Sequence, residues 1–257
     1  MNKVFAVARN TFREAIRNKI LYAIVFFAIL ILFASLALGE LSLGENFKVT
    51  KDLGLTAISF FGLLIAIFIG VSLVHKELDK RTIYTMISKP IYRSQFIFGK
   101  YIGMLLTALV QVLILSVVFT FLIWYQEGRL YSHLFAAIYL YWLEIMLITS
   151  VALFFSSFTT PFFSGLFTFS VLIIGRLMND IELILQQLEH PVIWFFLKLS
   201  TVLPDLEKFN IGSRIVHMLH TEPVPTTWLI TSTFYAISYI VIFLVLGMIL
   251  FSRRDFT

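Results

Sequence analysis

The chain contains no cysteine, which excludes disulfides, thiolate metal sites, iron–sulfur clusters and cysteine nucleophiles. Charge is scarce as well. Asp, Glu, Lys and Arg make up 14% of the 257 residues, against about 25% in soluble domains. Hydrophobic residues reach 59%, above the roughly 45–50% of soluble domains, so water is not the main solvent for this chain. No Walker A phosphate loop is present. Gly39 and Gly44 have the glycine spacing, but Glu45 stands where lysine is needed; Lys100 follows Gly99 without an earlier glycine or a following Ser/Thr. Ser, His and Asp occur without any motif that assembles a triad. His133 and His190 are dispersed, and His217 with His220 lacks a third ligand, so no metal site is expected.

What is abundant is long apolar sequence. Six runs approach or exceed the length needed to cross a bilayer: Ile20 to Leu38, Leu55 to Val74, Tyr101 to Trp124, His133 to Phe158, Phe162 to Leu177 and Trp228 to Phe251. The fifth is the shortest. The runs are continuously apolar rather than alternating, which predicts helices and not a β-barrel. The 28 phenylalanines are read as bulky side chains facing acyl tails, not as a ligand cage.

Thirteen of the 20 Lys and Arg residues lie before the first run, between the second and third, or after the sixth. By the positive-inside rule these segments face the cytoplasm, as do both termini, and most acids fall on the outer side. The net charge of +5 therefore reports orientation and anionic lipid headgroups, with no nucleic-acid partner expected. Within residues 1–19, Val4, Phe5, Ala8, Phe12, Ala15 and Ile16 recur at helical spacing opposite Lys3, Arg9, Arg13 and Arg17. That pattern predicts an amphipathic helix on the inner leaflet. The basic lead is long and no small-residue cleavage site follows it cleanly, so the first run is read as a retained span rather than a signal peptide. Residues 178–227 form an outer cap segment. Its own apolar stretch, Val192 to Leu203, is too short to cross and is read as one or two re-entrant or interfacial helices.

Residues 75–100 form the most informative loop. Glu77 and Arg81 stand i,i+4 on one helical face, Leu78, Ile83 and Met86 offer apolar contacts, and Lys89-Pro90 breaks the helix. On chemistry alone this is either a docking surface or an ordinary basic inner loop.

Three fragments carry a family resemblance: Glu77 to Ile83 continuing through Ser88 to Arg93 and Gly99 to Gly103, then Leu203 to Asn210, then Leu250 to Phe256. In this order on a six-span scaffold, they resemble ABC-type-2 permeases, the transmembrane subunits of ATP-binding-cassette exporters, with the NosY-like permeases of copper-enzyme maturation among them. The resemblance covers essentially the whole chain. It implies a single membrane domain, residues 1–257, paired with a second permease copy and with separate ATPase subunits that hold ATP and Mg. It also implies a bacterial-type inner membrane location and no cofactor on this chain. Residues Glu77, Leu78, Lys80, Arg81, Thr82, Ile83 and Met86 would form a coupling helix against the ATPase, with Pro90 and Arg93 setting the turn into the third span. Residues 1–19, with Phe5, Arg9, Phe12, Arg13 and Ile16, would form the connecting helix beside it.

The family path is lined largely by spans two and five. Gly62, Ala66 and Gly70 in span two have the four-residue spacing of small residues that admit either close packing or a groove. Glu144 lies deep in span four, about 16 Å from its outer end at helical rise. An ionisable group at that depth is a functional candidate by default, with bonding to a neighbour such as Gln111 as the structural alternative. The expectation is thus an all-α integral membrane protein of six transmembrane helices with an N-terminal interfacial helix, acting as an exporter permease and not as an enzyme. A membrane-embedded lipid-modifying enzyme and a non-transporting scaffold are the other classes considered.

Overall fold

The computed structural model describes residues 2–41, 46–79, 92–178, 203–210 and 224–253, and every regular element among them is helical. In chain order these are α1 (Asn2–Ile16), α2 (Lys19–Leu41), α3 (Asn46–Asp79), α4 (Arg93–Glu127), α5 (Ser132–Ser156), α6 (Pro161–Arg176), a 3-10 turn (Glu207–Phe209) and α7 (Thr226–Arg253). Five helices are long and apolar enough to cross a membrane: α2, α3 over Lys48–Ser72, α4, α5 and α7. The sixth, α6, is apolar but has only 16 residues. It spans about 24 Å, short of a hydrocarbon core of roughly 30 Å.

Local chemistry sets the joints. Asn18 accepts the Ile20 backbone N–H at 3.1 Å through Oδ1 and so caps the start of α2. Gly128, at φ 67°, ends α4 in the left-handed conformation and returns its N–H to the Trp124 carbonyl. Pro161 opens α6 at a position where its missing N–H costs nothing.

Two helices start before the apolar runs that announce them. The sequence places the second span from Leu55, yet α3 begins at Asn46, and α4 begins at Arg93 rather than Tyr101. Charged residues interrupt hydropathy without interrupting helical hydrogen bonding. Lys51 illustrates how: its ammonium lies over the Tyr131 ring at 4.3 Å, so a polar turn of α3 has a partner at the foot of α5.

The core centres on α5, which packs against α3, α4, α6, α7 and the 3-10 turn. Gly62 and Gly70 of α3 face it closely: an added Cβ would strike Ile145 at Gly62 and Ala152 at Gly70. Ala66, between them, is buried. The small-residue spacing of α3 is therefore occupied by helix packing. At the basic end, where α1 and the last turn of α7 meet the start of α4, the chain brings its two terminal helices together.

Candidate functional site

Glu144 occupies the middle of α5, twelve residues from Ser132 and twelve from Ser156. Its side chain has no exposed surface. A carboxylate here needs a partner, because desolvating an unpaired charge costs several kcal/mol. The partner is Arg176, not Gln111. The guanidinium donates from Nε to Glu144 Oε1 at 2.9 Å and from Nη2 to Glu144 Oε2 at 3.0 Å. Nη2 also donates to Ser59 Oγ of α3 at 2.5 Å. One bidentate ion pair thereby ties α3, α5 and α6 together at the centre of the bundle.

Arg176 reaches this depth because α6 stops there. Reading the fifth run as a full crossing carries Arg176 toward the surface, whereas the short helix ends beside the middle of α5. A sequence signal did exist: Glu144 and Arg176 are the only Asp, Glu, Lys or Arg residues in the six apolar runs.

The end of α6 is sealed by residues 203–210. The Leu206 N–H donates to the Gly175 carbonyl at 2.9 Å, and an added Cβ at Gly175 would lie 2.7 Å from the Pro204 carbonyl oxygen. Leu206 and Phe209 are fully buried. Tyr141 donates its hydroxyl to Asn210 Oδ1 at 3.4 Å, and Tyr235 Oη accepts the Asp205 N–H at 2.8 Å. Both tyrosines lie nine residues into their helices, so this segment sits about 14 Å inside the helix ends. Lys208 pairs with Asp205 at 3.5 Å and covers the Tyr235 ring at 4.2 Å. Nearer the basic end, Ser156 donates to the Gly70 carbonyl at 3.1 Å and bonds Ser164 at 2.7 Å, a second polar link among α3, α5 and α6.

The residues expected along a path separate into different environments. Gln111 is buried on α4, and its Oε1 has no hydrogen-bond partner among the described residues. Of the expected docking residues, Glu77 and Leu78 belong to the last turns of α3. Lys80, Arg81, Thr82, Ile83, Met86 and Pro90 lie outside the described residues, as do most of the cap segment and His190, His217 and His220. Arg93 is described. It donates from Nη1 to the Ser252 carbonyl at 2.6 Å and to the Phe251 carbonyl at 3.4 Å.

On α1, Phe5, Arg9, Arg13 and Ile16 are exposed and Phe12 is half-buried. The buried face is instead Val7, Ala8, Thr11 and Ala15. Val7 and Thr11 escape a reading of the stripe by hydrophobic bulk, because this contact selects small and β-branched side chains. Among the described residues no group of three or more His, Asp and Glu could hold a metal ion.

A helical bundle with five membrane-length helices and a Glu144–Arg176 ion pair in its interior defines a multi-pass integral membrane protein. Residues 5–256 match the family described as ABC-2 family transporter protein, and the chain belongs to that family. It is therefore a membrane permease subunit of an ABC transporter, a class that works with an ATP-binding subunit. No curated protein matches the sequence.

Proposed function

We propose that this chain is the permease half of an exporter in a bacterial-type inner membrane, two copies of it joining two separate ATPase subunits. The observation that carries this reading is the family match over residues 5–256. The basic end supports it. There α1 packs on the start of α4, α3 ends at Asp79, and Arg9 and Arg13 of α1 are exposed. Positive-inside asymmetry sets that end, with both termini, in the cytoplasm. ATP and Mg belong to the partner, and the permease itself catalyses no reaction.

ATP-driven closure of the ATPases pushes on the segment 75–100 and re-packs the helices, changing which side the path faces. Within that cycle the Glu144–Arg176–Ser59 cluster supports a fastening role. The carboxylate is consumed by a bidentate partner, and α3, α5 and α6 move together while the pair holds. The same pairing weighs against a lipid-modifying enzyme, which needs a carboxylate or histidine available at membrane depth.

Co-expression with an ABC-type ATPase subunit is the direct test. A stable complex whose ATPase activity requires the permease is expected, and its loss on Glu77→Ala with Arg81→Glu would place the joint. A permease that purifies alone from such cells would refute the transporter reading and favour a scaffold.

A further inference from the structure

The first three turns of α4 hold two elements remote in sequence. On one side lies the end of α7. There Arg93 donates to Phe251 O at 3.4 Å and to Ser252 O at 2.6 Å. With a guanidinium as donor, these hydrogen bonds are charge-assisted. One turn on, the Phe96 and Phe251 rings stack at 5.8 Å with an interplanar angle of 19°.

On the other side lies α1. An added Cβ at Gly99 would stand 2.8 Å from Val7 Cβ and 2.9 Å from the Val4 carbonyl oxygen. At Gly103 it would stand 2.6 Å from both the Ala8 carbonyl oxygen and Thr11 Cβ. Backbone meets backbone at both glycines, so α1 is seated in a notch and cannot slide along α4 without climbing out. Lys100, between the glycines, is fully buried with its ammonium 5.0 Å from the Phe96 ring.

We propose that Arg93 is a transmission residue: with Phe96, Gly99 and Gly103 it fastens α7 and α1 to the start of α4, so that all three move as one body. Residues 80–91 precede Arg93 in the chain, so a push on that segment passes through Arg93 to α7 as well as to α4. Because α7 packs mainly on α5, the motion then arrives at the helix that carries Glu144. Arg93 thus acts inward, on the chain's own last helix, rather than only as a turn residue facing a partner. Its role in a cycle rests on the ATPase-coupled reading; the fastening itself does not.

Two measurements test it, and the absence of native cysteine leaves a clean background for labels. Hydrogen exchange on the purified permease in nanodiscs reads the fastening alone. Arg93→Ala is expected to speed exchange of the amides at residues 250–253 about tenfold, the size of a lost charge-assisted hydrogen bond. Arg93→Lys is expected to restore part of that protection. Unchanged exchange in Arg93→Ala overturns the proposal. Spin-label distances in the permease–ATPase complex read the motion. Asn10→Cys with Ser252→Cys should keep one distance between nucleotide-free and vanadate-trapped states, while Asn10→Cys with Phe162→Cys shifts. A shift in the first pair as large as in the second overturns the one-body motion. The exchange arm needs no ATPase, so failure of the transporter reading and failure of the fastening appear in different measurements.

Discussion

Helices α2 and α5 are both long and apolar, yet they occupy opposite environments. The spanning stretch of α2 is the more apolar of the two yet is 22% buried, whereas that of α5 is 67% buried. In water the more apolar helix would be the inner one. In a bilayer, lipid accepts Phe26, Phe27, Leu30 and Phe33 without penalty. The interior then collects residues that lipid cannot satisfy, such as Glu144 and Ser156, which bond to neighbouring helices. Polarity, not hydrophobicity, marks the centre of this bundle.

The sharpest way to break that contrast is at the ion pair. Glu144→Ala or Arg176→Ala alone strands a charge and is expected to cost about 3–5 kcal/mol of stability. Glu144→Leu with Arg176→Met should recover most of it. Unfolding in mixed micelles measures both, and a double variant no better than either single one would mean the pair does more than fasten helices.

Next in size are the glycines. Gly70→Leu forces α3 away from Ala152 of α5 and should cost about 1–3 kcal/mol by overpacking. Among the described residues, Gly165 of α6 has only Val71 within 4 Å of an added Cβ, at 3.8 Å, so Gly165→Ala should be neutral or stabilising by up to about 1 kcal/mol. The same unfolding assay separates them, and equal losses would show that α6 packs more tightly than these distances imply.

A smaller effect is expected at Ser156→Ala, which removes the bonds to Gly70 O and Ser164. Interhelical hydrogen bonds in membranes average about 0.6 kcal/mol. Smallest is Phe27→Leu on the exposed face of α2, which should change permease stability by less than about 0.5 kcal/mol. A larger loss there, found only when two copies associate, would identify α2 as an inter-subunit face.

Much of the architecture was legible beforehand because hydropathy and helix length are local properties. The apolar runs, the amphipathic α1 and the concentration of basic residues at one end were read without tertiary information. The start of α3 at Asn46 is hidden from hydropathy because charged residues interrupt apolar sequence without interrupting the helix. Glu144 was found because a lone carboxylate in an apolar run is conspicuous. Arg176 does not stand out as its partner in the sequence, because a full crossing by the fifth run would carry its last residues to the surface. The buried face of α1 was hidden for another reason: Val7 and Thr11 fit the Gly99 and Gly103 notch by shape, and shape complementarity leaves no periodic trace in one segment alone.

By itself the sequence determined that the chain lives in a bilayer, that its elements are helices, and which end is basic, since each follows from side-chain solvation and backbone hydrogen bonding within a segment. Only the tertiary structure decided that Glu144 faces Arg176 and not Gln111, that residues 203–210 close the short α6, and that Arg93 grips the last turn of α7. Those are relations between segments far apart in the chain, set by where each helix ends and how closely glycines let the next approach.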